Sequence, residues 1–156
     1  MNKLIGSKCP DMKNSDISAD DNLVRVMERD GVGKVDLLKY ENLNNIRLKQ
    51  IIKEMGKPPW AVRIIYNERF GGVLICQNPD EGNRLHYHPD ADECWVIMEG
   101  EWEWFIDGVG VKKVQKDDIV LVPQNTKHLI KCIGEKPGIR FAITKPDVNH
   151  IYVKDK

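Results

Sequence analysis

No stretch of about 18 consecutive apolar residues occurs in this chain of 156 residues, so no segment reads as a membrane-spanning helix. The start, MNKLIGSKCP, also lacks an apolar run of the length a signal peptide needs. Net charge is missing too: 24 basic and 24 acidic side chains cancel, leaving no global field to recruit a polyanion or an anionic membrane. Neither nucleic acid nor a membrane is therefore expected as a partner. Cysteine is sparse and dispersed, at Cys9, Cys76, Cys94 and Cys132 with no CxxC pair, which suits a reducing compartment better than a disulfide framework. The expected location is cytoplasmic, with a Cys94–Cys132 bridge as the alternative. The chain also has no GxSxG elbow, no phosphate-cradling glycine loop and no cysteine nucleophile with a spare histidine beside it.

What is present divides near Pro58-Pro59. Before it, Ser18 followed by Asp21 gives a capping-type start to a short helix that stops at Gly31. A second helical pattern runs through Leu43, Ile46, Gln50, Ile51 and Met55 to Gly56. After it, short runs rich in β-branched and aromatic residues (WAVRIIY, GGVLICQ, ECWVIM, EWEWFI, IVLVP, HLIKC, IRFAIT) alternate with turn residues. This pattern predicts an all-β core, a jelly-roll β-barrel over residues 59–156, with a helical or mixed N-terminal extension over 1–58 packed on it.

Three of the four histidines fall in residues 82–132. On a strand, alternate side chains share a face, so His86 and His88 project together. Glu93 follows a Pro-Asp-Ala-Asp turn and opens the next strand, and His128 arrives from a later one, just after Pro123 and Asn125. An isolated HxH is often a chance pair on a solvated strand. Here the pair has partners at spacings that let three imidazoles and a carboxylate converge, a shell suited to one divalent transition metal rather than calcium. Four protein ligands leave part of an octahedral sphere open for substrate, dioxygen or water. The fourth histidine, His150, lies in the polar tail.

These residues resemble the cupin superfamily, whose motifs are commonly written G-x5-H-x-H-x3-4-E-x6-G and G-x5-P-x-G-x2-H-x3-N. His86, His88, Glu93 and Gly100 keep the first spacing, and Pro123 and His128 the second; Asp80, Asp117 and Asn125 stand at glycine positions and Cys132 at the asparagine. Asn tolerates the left-handed conformation better than most residues. The resemblance implies the small jelly-roll barrel, metal ligands His86, His88, Glu93 and His128, and a homodimer. Asn83-Arg84 and Tyr87-His88 are also similar to the segment around the first metal histidine of 3-hydroxyanthranilate dioxygenases.

Strand alternation places Arg84 on the face of His86 and His88, where it could clamp a carboxylate or phosphate. Its alternative is a surface pair with a carboxylate such as Asp80. Trp95 shares the Glu93 face, and Trp95, Trp104 and Phe141 are expected either to fill the core or to wall the substrate pocket. Cys132, on the His128 face, either approaches the metal or acts as a small buried hydrophobe.

The expected function is a mononuclear metal enzyme acting on a small polar or anionic molecule, with Glu93 and Arg84 as catalytic candidates. Fe(II) and a dioxygenase-type oxidation are favoured. With Mn, Ni, Co, Zn or Cu, isomerase, decarboxylase or lyase chemistry is the alternative, and a non-catalytic ligand-binding module the second.

Overall fold

Residues 17–19 and 22–154 are described by the computed structural model, in which two short helices accompany two six-stranded sheets. All seven runs read as strands are strands: β3 (Trp60–Tyr66), β4 (Gly71–Gln77), β6 (Glu93–Glu99), β7 (Glu101–Ile106), β9 (Ile119–Val122), β10 (His128–Ile133) and β11 (Gly138–Thr144). Five more join them: β1 (Ile17–Ala19), β2 (Val35–Asp36), β5 (Gly82–Tyr87), β8 (Gly110–Gln115) and β12 (Ile151–Val153). β8 is an edge strand whose lysines face solvent, so it shows little hydrophobic alternation.

One sheet runs β1-β12-β5-β10-β7-β8 and the other β2-β3-β4-β11-β6-β9, antiparallel throughout except for β2 against β3. Between them, the inward residues of β6, β7 and β10, including Trp95, Ile97, Trp102, Trp104, Ile130 and Cys132, form the main core. This is the jelly-roll arrangement that the period-two pattern predicts. A second cluster lies on the outer face of the other sheet, where Ile51 and Met55 pack on Trp60, Leu74 and Ile139.

The helices differ from expectation at their starts. The first, α1 (Leu23–Arg29), is capped by Asn22, whose side chain accepts the backbone N–H of Arg25 at 3.1 Å. Ser18 instead belongs to β1, and Asp21 lies outside the described residues. The second, α2 (Leu48–Met55), begins five residues later than Leu43. Asn42 adopts φ +57° and exchanges hydrogen bonds with the Tyr66 backbone, which ties this stretch to β3 and leaves Leu43 exposed. Val26 and Met27 of α1 enter the main core, so this helix closes one end of the space between the sheets.

Candidate metal centre

His86 sits near the end of β5, His88 one residue beyond it, Glu93 opens β6 and His128 opens β10. Their ligand atoms all lie within 4.8 Å of one another, and the four residues are at most 4% exposed. Register explains the convergence: His128 lies opposite His86 on the neighbouring strand, and the His86 and His128 ring centroids are 4.2 Å apart. His88 Nε2 is 3.0 Å and His128 Nε2 3.4 Å from the same carboxylate oxygen of Glu93.

Each of the three imidazoles has its Nδ1 held by a main-chain carbonyl: His86 by Arg84 O at 2.7 Å, His88 by Asn149 O at 2.8 Å, His128 by Thr126 O at 3.0 Å. A carbonyl can only accept, so Nδ1 carries a proton on each; the Nε2 lone pairs of His86 and His128 are left for an ion, and that of His88 becomes available once its Nε2 gives up the proton it shares with Glu93. His128 Nε2 is buried with no hydrogen-bond partner, an arrangement that costs free energy unless something electrophilic binds there. Burial opposes charge on Glu93, yet the imidazole of His88 beside it holds its carboxyl well below the usual range. Burial likewise opposes charge on His88, but Glu93 outweighs it and raises that imidazole, whereas burial, aided by His128, drives His86 far below its ordinary value. An anionic carboxylate among tautomer-fixed imidazoles fits a divalent transition ion.

The three residues standing where the resembling motifs have glycine all adopt left-handed backbone: Asp80 at φ +72°, Asp117 at +75° and Asn125 at +60°. Asn125 N donates to His88 O at 2.7 Å, so the second motif's turn steadies a ligand of the first. Gly82, by contrast, is required by space. A Cβ there would lie 1.8 Å from the carbonyl oxygen of Ile130.

That close approach adjoins a β-bulge, which overturns the expectation for Arg84. Between the pairs His128↔His86 and Ile130↔Asn83, β5 carries one residue more than β10, and the inward alternation slips. Asn83 therefore lines the cavity beside His86, while Arg84 points outward. Its Nε donates to Asp30 Oδ1 at 2.6 Å and its guanidinium lies 3.8 Å over the Tyr152 ring. The surface-pair alternative is thus nearer the structure, with Asp30 as the partner rather than Asp80.

A cavity of about 90 Å³ adjoins the cluster, and His86, Glu93 and Trp95 line it. Trp104 is absent from its wall and fills the core between Trp95 and Trp102. Cys132 is also core, four residues down β10 from His128, with its thiol near the carbonyls of Ile133 and Lys136. Cys76, Cys94 and Cys132 are all free, which removes the Cys94–Cys132 bridge; Cys9 lies outside the described residues. Phe141 faces the opposite side of β11, against the outer cluster, because Arg140 and Ala142 take the inward positions.

His150 and Arg140 are among the lining residues that escape the sequence reading. His150 is not in a tail: β12 pairs with β5 and brings its ring 5.2 Å from His86 and 4.6 Å from His88, where burial pushes its pKa down to about 4. Arg140 is 1% exposed, and burial lowers its pKa to about 10. Inward-facing alternation with Ala142 and Thr144 is the signal that finds it, since an arginine in a strand's core register demands a partner.

Residues 73–144 match the family model described as a cupin domain. A curated relative, the bifunctional purine biosynthesis protein PurH of Buchnera aphidicola subsp. Baizongia pistaciae, is 27% identical over 118 residues, covering 74% of this chain and 22% of that protein. The chain thus spans about a fifth of that relative's length. Among solved structures, an uncharacterized conserved protein with a double-stranded β-helix domain from Klebsiella pneumoniae superposes with a TM-score of 0.60 at 18% identity, over 74% of this chain and 100% of that one. A sugar phosphate isomerase from a cupin superfamily, from Silicibacter pomeroyi, superposes with a TM-score of 0.50 at 22% identity, over 56% and 58% of the two chains. At these identities the likeness is one of fold.

Proposed function

We propose, from the match of residues 73–144 to a cupin domain, that the chain is a cupin and a mononuclear metal-dependent enzyme acting on a small polar or anionic molecule, with non-heme iron dioxygenase chemistry as the leading form. The observation that carries this reading is the buried, unpartnered Nε2 of His128 facing an ionised Glu93, beside two more imidazoles whose protons are tied to the main chain. His86, His88, Glu93 and His128 would hold the ion. When bound, Fe(II) supplies redox chemistry with dioxygen, whereas Mn, Ni, Co, Zn or Cu supplies Lewis-acid polarisation of a carbonyl. Residues of α1 with Val73, Ile75 and Ala142 give the cavity an apolar side.

A second reading, isomerase, decarboxylase or lyase chemistry, draws on Asp30. This carboxyl lines the same cavity, and burial raises its pKa despite Arg84, which makes it an acid–base candidate beside Glu93. A non-catalytic binding module is the outcome if no turnover is found. The protein is read as cytoplasmic and as a homodimer, for which exposed Val111 on the edge strand β8 and exposed Ile119 and Leu121 on the edge strand β9 of the other sheet are apolar candidates. No helix among the described residues is long and apolar enough to cross a membrane.

Anaerobic and aerobic purification with elemental analysis, followed by oxygen-uptake screening against small carboxylates and phenols, tests the proposal. Stoichiometric zinc with no oxygen consumption removes the oxygenase form. Less than about a tenth of an ion per chain after supplementation with Fe, Mn, Ni and Zn removes the metal centre itself.

A further inference from the structure

Elimination leaves two neutral side chains on the cavity wall for a ligand besides the metal cluster itself. Of the charged residues lining it, Arg63 is paired with Glu41, Lys145 with Asp90, Asp30 with Arg84, and Asp147 with the Tyr66 hydroxyl. Thr144 donates its hydroxyl to the Asp92 carbonyl at 2.8 Å. Arg140 donates from Nη2 to Gln77 Oε1 at 2.7 Å and lies against the Trp95 and Trp102 rings. Its Nε and Nη1, like the indole Nε1 of Trp95, are enclosed, so they serve the core and reach no ligand.

Asn83 and His150 remain, and the main chain fixes the polarity of each. Asn83 Oδ1 accepts from Ile130 N at 2.8 Å; a backbone N–H can only donate, so the free end of this amide is the donor Nδ2. His150 Nδ1 donates to the Val148 carbonyl at 3.2 Å, so the neutral ring carries its lone pair on Nε2, an acceptor. Among the described residues neither Nδ2 nor Nε2 has a hydrogen-bond partner, and neither is enclosed; both residues are half-buried and line the cavity. They flank His86. Asn83 precedes it on β5, and because Tyr152 lies opposite His86, His150 stands at the level of His88, its ring 5.2 Å from that of His86. The volume is about 90 Å³, against roughly 150 Å³ for a cavity that holds benzene, which suits a molecule of about four or five heavy atoms. No cation on the wall is left to meet an anion, and the Glu93 carboxylate opposes one.

We propose that Asn83 and His150 are the specificity-determining pair of this cavity and select a small uncharged hydroxycarbonyl compound, Asn83 Nδ2 donating to its carbonyl oxygen and His150 Nε2 accepting from its hydroxyl. What becomes of the ligand rests on the metal-dependent reading, but recognition by the pair needs no ion. The pair takes the place of the anion clamp expected at Arg84, which the bulge turns outward. An analogue lacking either group leaves one member of the pair unsatisfied, and that loss is the source of discrimination.

The test uses the whole chain, nitrogen-15 labelled, stripped of metal by chelation and exchanged into chelator-free buffer, and titrated by NMR with four probes of equal size. Hydroxyacetone should shift the cavity-wall amides and the His150 Nε2 resonance saturably. It should bind at least about threefold tighter than butanone, which lacks the hydroxyl, isobutanol, which lacks the carbonyl, or glycolate, which adds a charge; threefold is the size of one modest net hydrogen bond. His150→Phe should erase the preference over butanone, and His150→Gln, whose amide oxygen also accepts, should keep part of it. Asn83→Asp retains the oxygen that holds Ile130 N but loses the donor, so it should erase the preference over isobutanol. Absence of a saturable shift, a His150 Nε2 resonance that does not move, equal or tighter binding of any of the other three probes, or folded His150→Phe or Asn83→Asp protein with wild-type preferences overturns the proposal. Should the variants fail to fold, the wild-type preferences and the Nε2 shift decide alone. Metal analysis of the same protein is independent. Hydroxyacetone recognition without metal uptake sinks the metal centre and leaves the pair standing; metal uptake without that recognition does the reverse.

Discussion

Replacing Gly82 by alanine should damage this protein far more than the addition of one methyl group suggests. The added Cβ would meet the Ile130 carbonyl oxygen at 1.8 Å, a main-chain atom that no rotamer change can move aside. Relief requires β5 and β10 to separate by at least about 1 Å, which is overpacking of the kind that costs about 1–3 kcal/mol. Two hydrogen bonds depend on that spacing: Gln77 Nε2 to Gly82 O at 2.9 Å and Ile130 N to Asn83 Oδ1 at 2.8 Å. Adding about 1 kcal/mol for each gives a destabilisation of roughly 3–5 kcal/mol. For a chain of this length that corresponds to a melting temperature lower by roughly 6–20 °C. Urea unfolding followed by tryptophan fluorescence measures it directly, because Trp60, Trp95, Trp102 and Trp104 are all buried. Gly33→Ala is the matched control: its Cβ meets nothing and its φ is not positive, so it should be neutral or more stable by about half a kcal/mol. Metal affinity should fall with Gly82→Ala, since β5 carries His86 and leads into His88. A Gly82→Ala protein within about 1 kcal/mol of wild type would refute the argument that this approach sets the strand spacing.

Glu93→Gln and His128→Ala should each lower metal content sharply, read by elemental analysis, whereas Arg84→Ala should leave it unchanged and instead cost about 1–3 kcal/mol by stranding the buried Asp30 carboxylate. In metal-free protein, the His150 pKa of about 4 lies below its unfolded value, so stability falls as pH drops below about 6.5, when the unfolded chain takes up a proton that the folded state refuses. His150→Phe should therefore reduce the loss of stability between pH 7 and 5 by roughly 1–2 kcal/mol, measured as urea midpoints; parallel pH profiles would contradict this. At Asn125, with φ +60°, Gly should be tolerated within about half a kcal/mol while Val should cost about 1–2 kcal/mol and weaken metal binding through the lost hold on His88.

The strands were legible because sheets with one buried face impose period two, and β6, β7 and β10 keep it without interruption. The metal cluster was legible for the same reason. Arg84 was misplaced because a bulge adds one residue to β5, and nothing local in Gly-Asn-Arg-Leu announces it except the glycine. His150 was missed because its proximity depends on β12 adding to β5 across more than sixty residues of chain, a long-range pairing with no local signature. Phe141 was preferred over Arg140 because an aromatic is the ordinary core residue, whereas here the arginine holds the inward register. The helix at Leu43 failed where an asparagine turn, bound to a strand, overrode apolar spacing.

The hydrogen bonds that orient the three imidazoles end on the carbonyls of Arg84, Asn149 and Thr126, and a carbonyl survives every substitution of the residue that bears it. The orientation of the three imidazoles is therefore insulated from mutational drift at those positions, provided that the backbone path holds. The same insulation constrains change. A change of ring orientation is not reached by replacing the side chain of Arg84, Asn149 or Thr126, and comes instead through substitutions, such as those at Gly82 and Asn125, that shift the strands carrying the ligands.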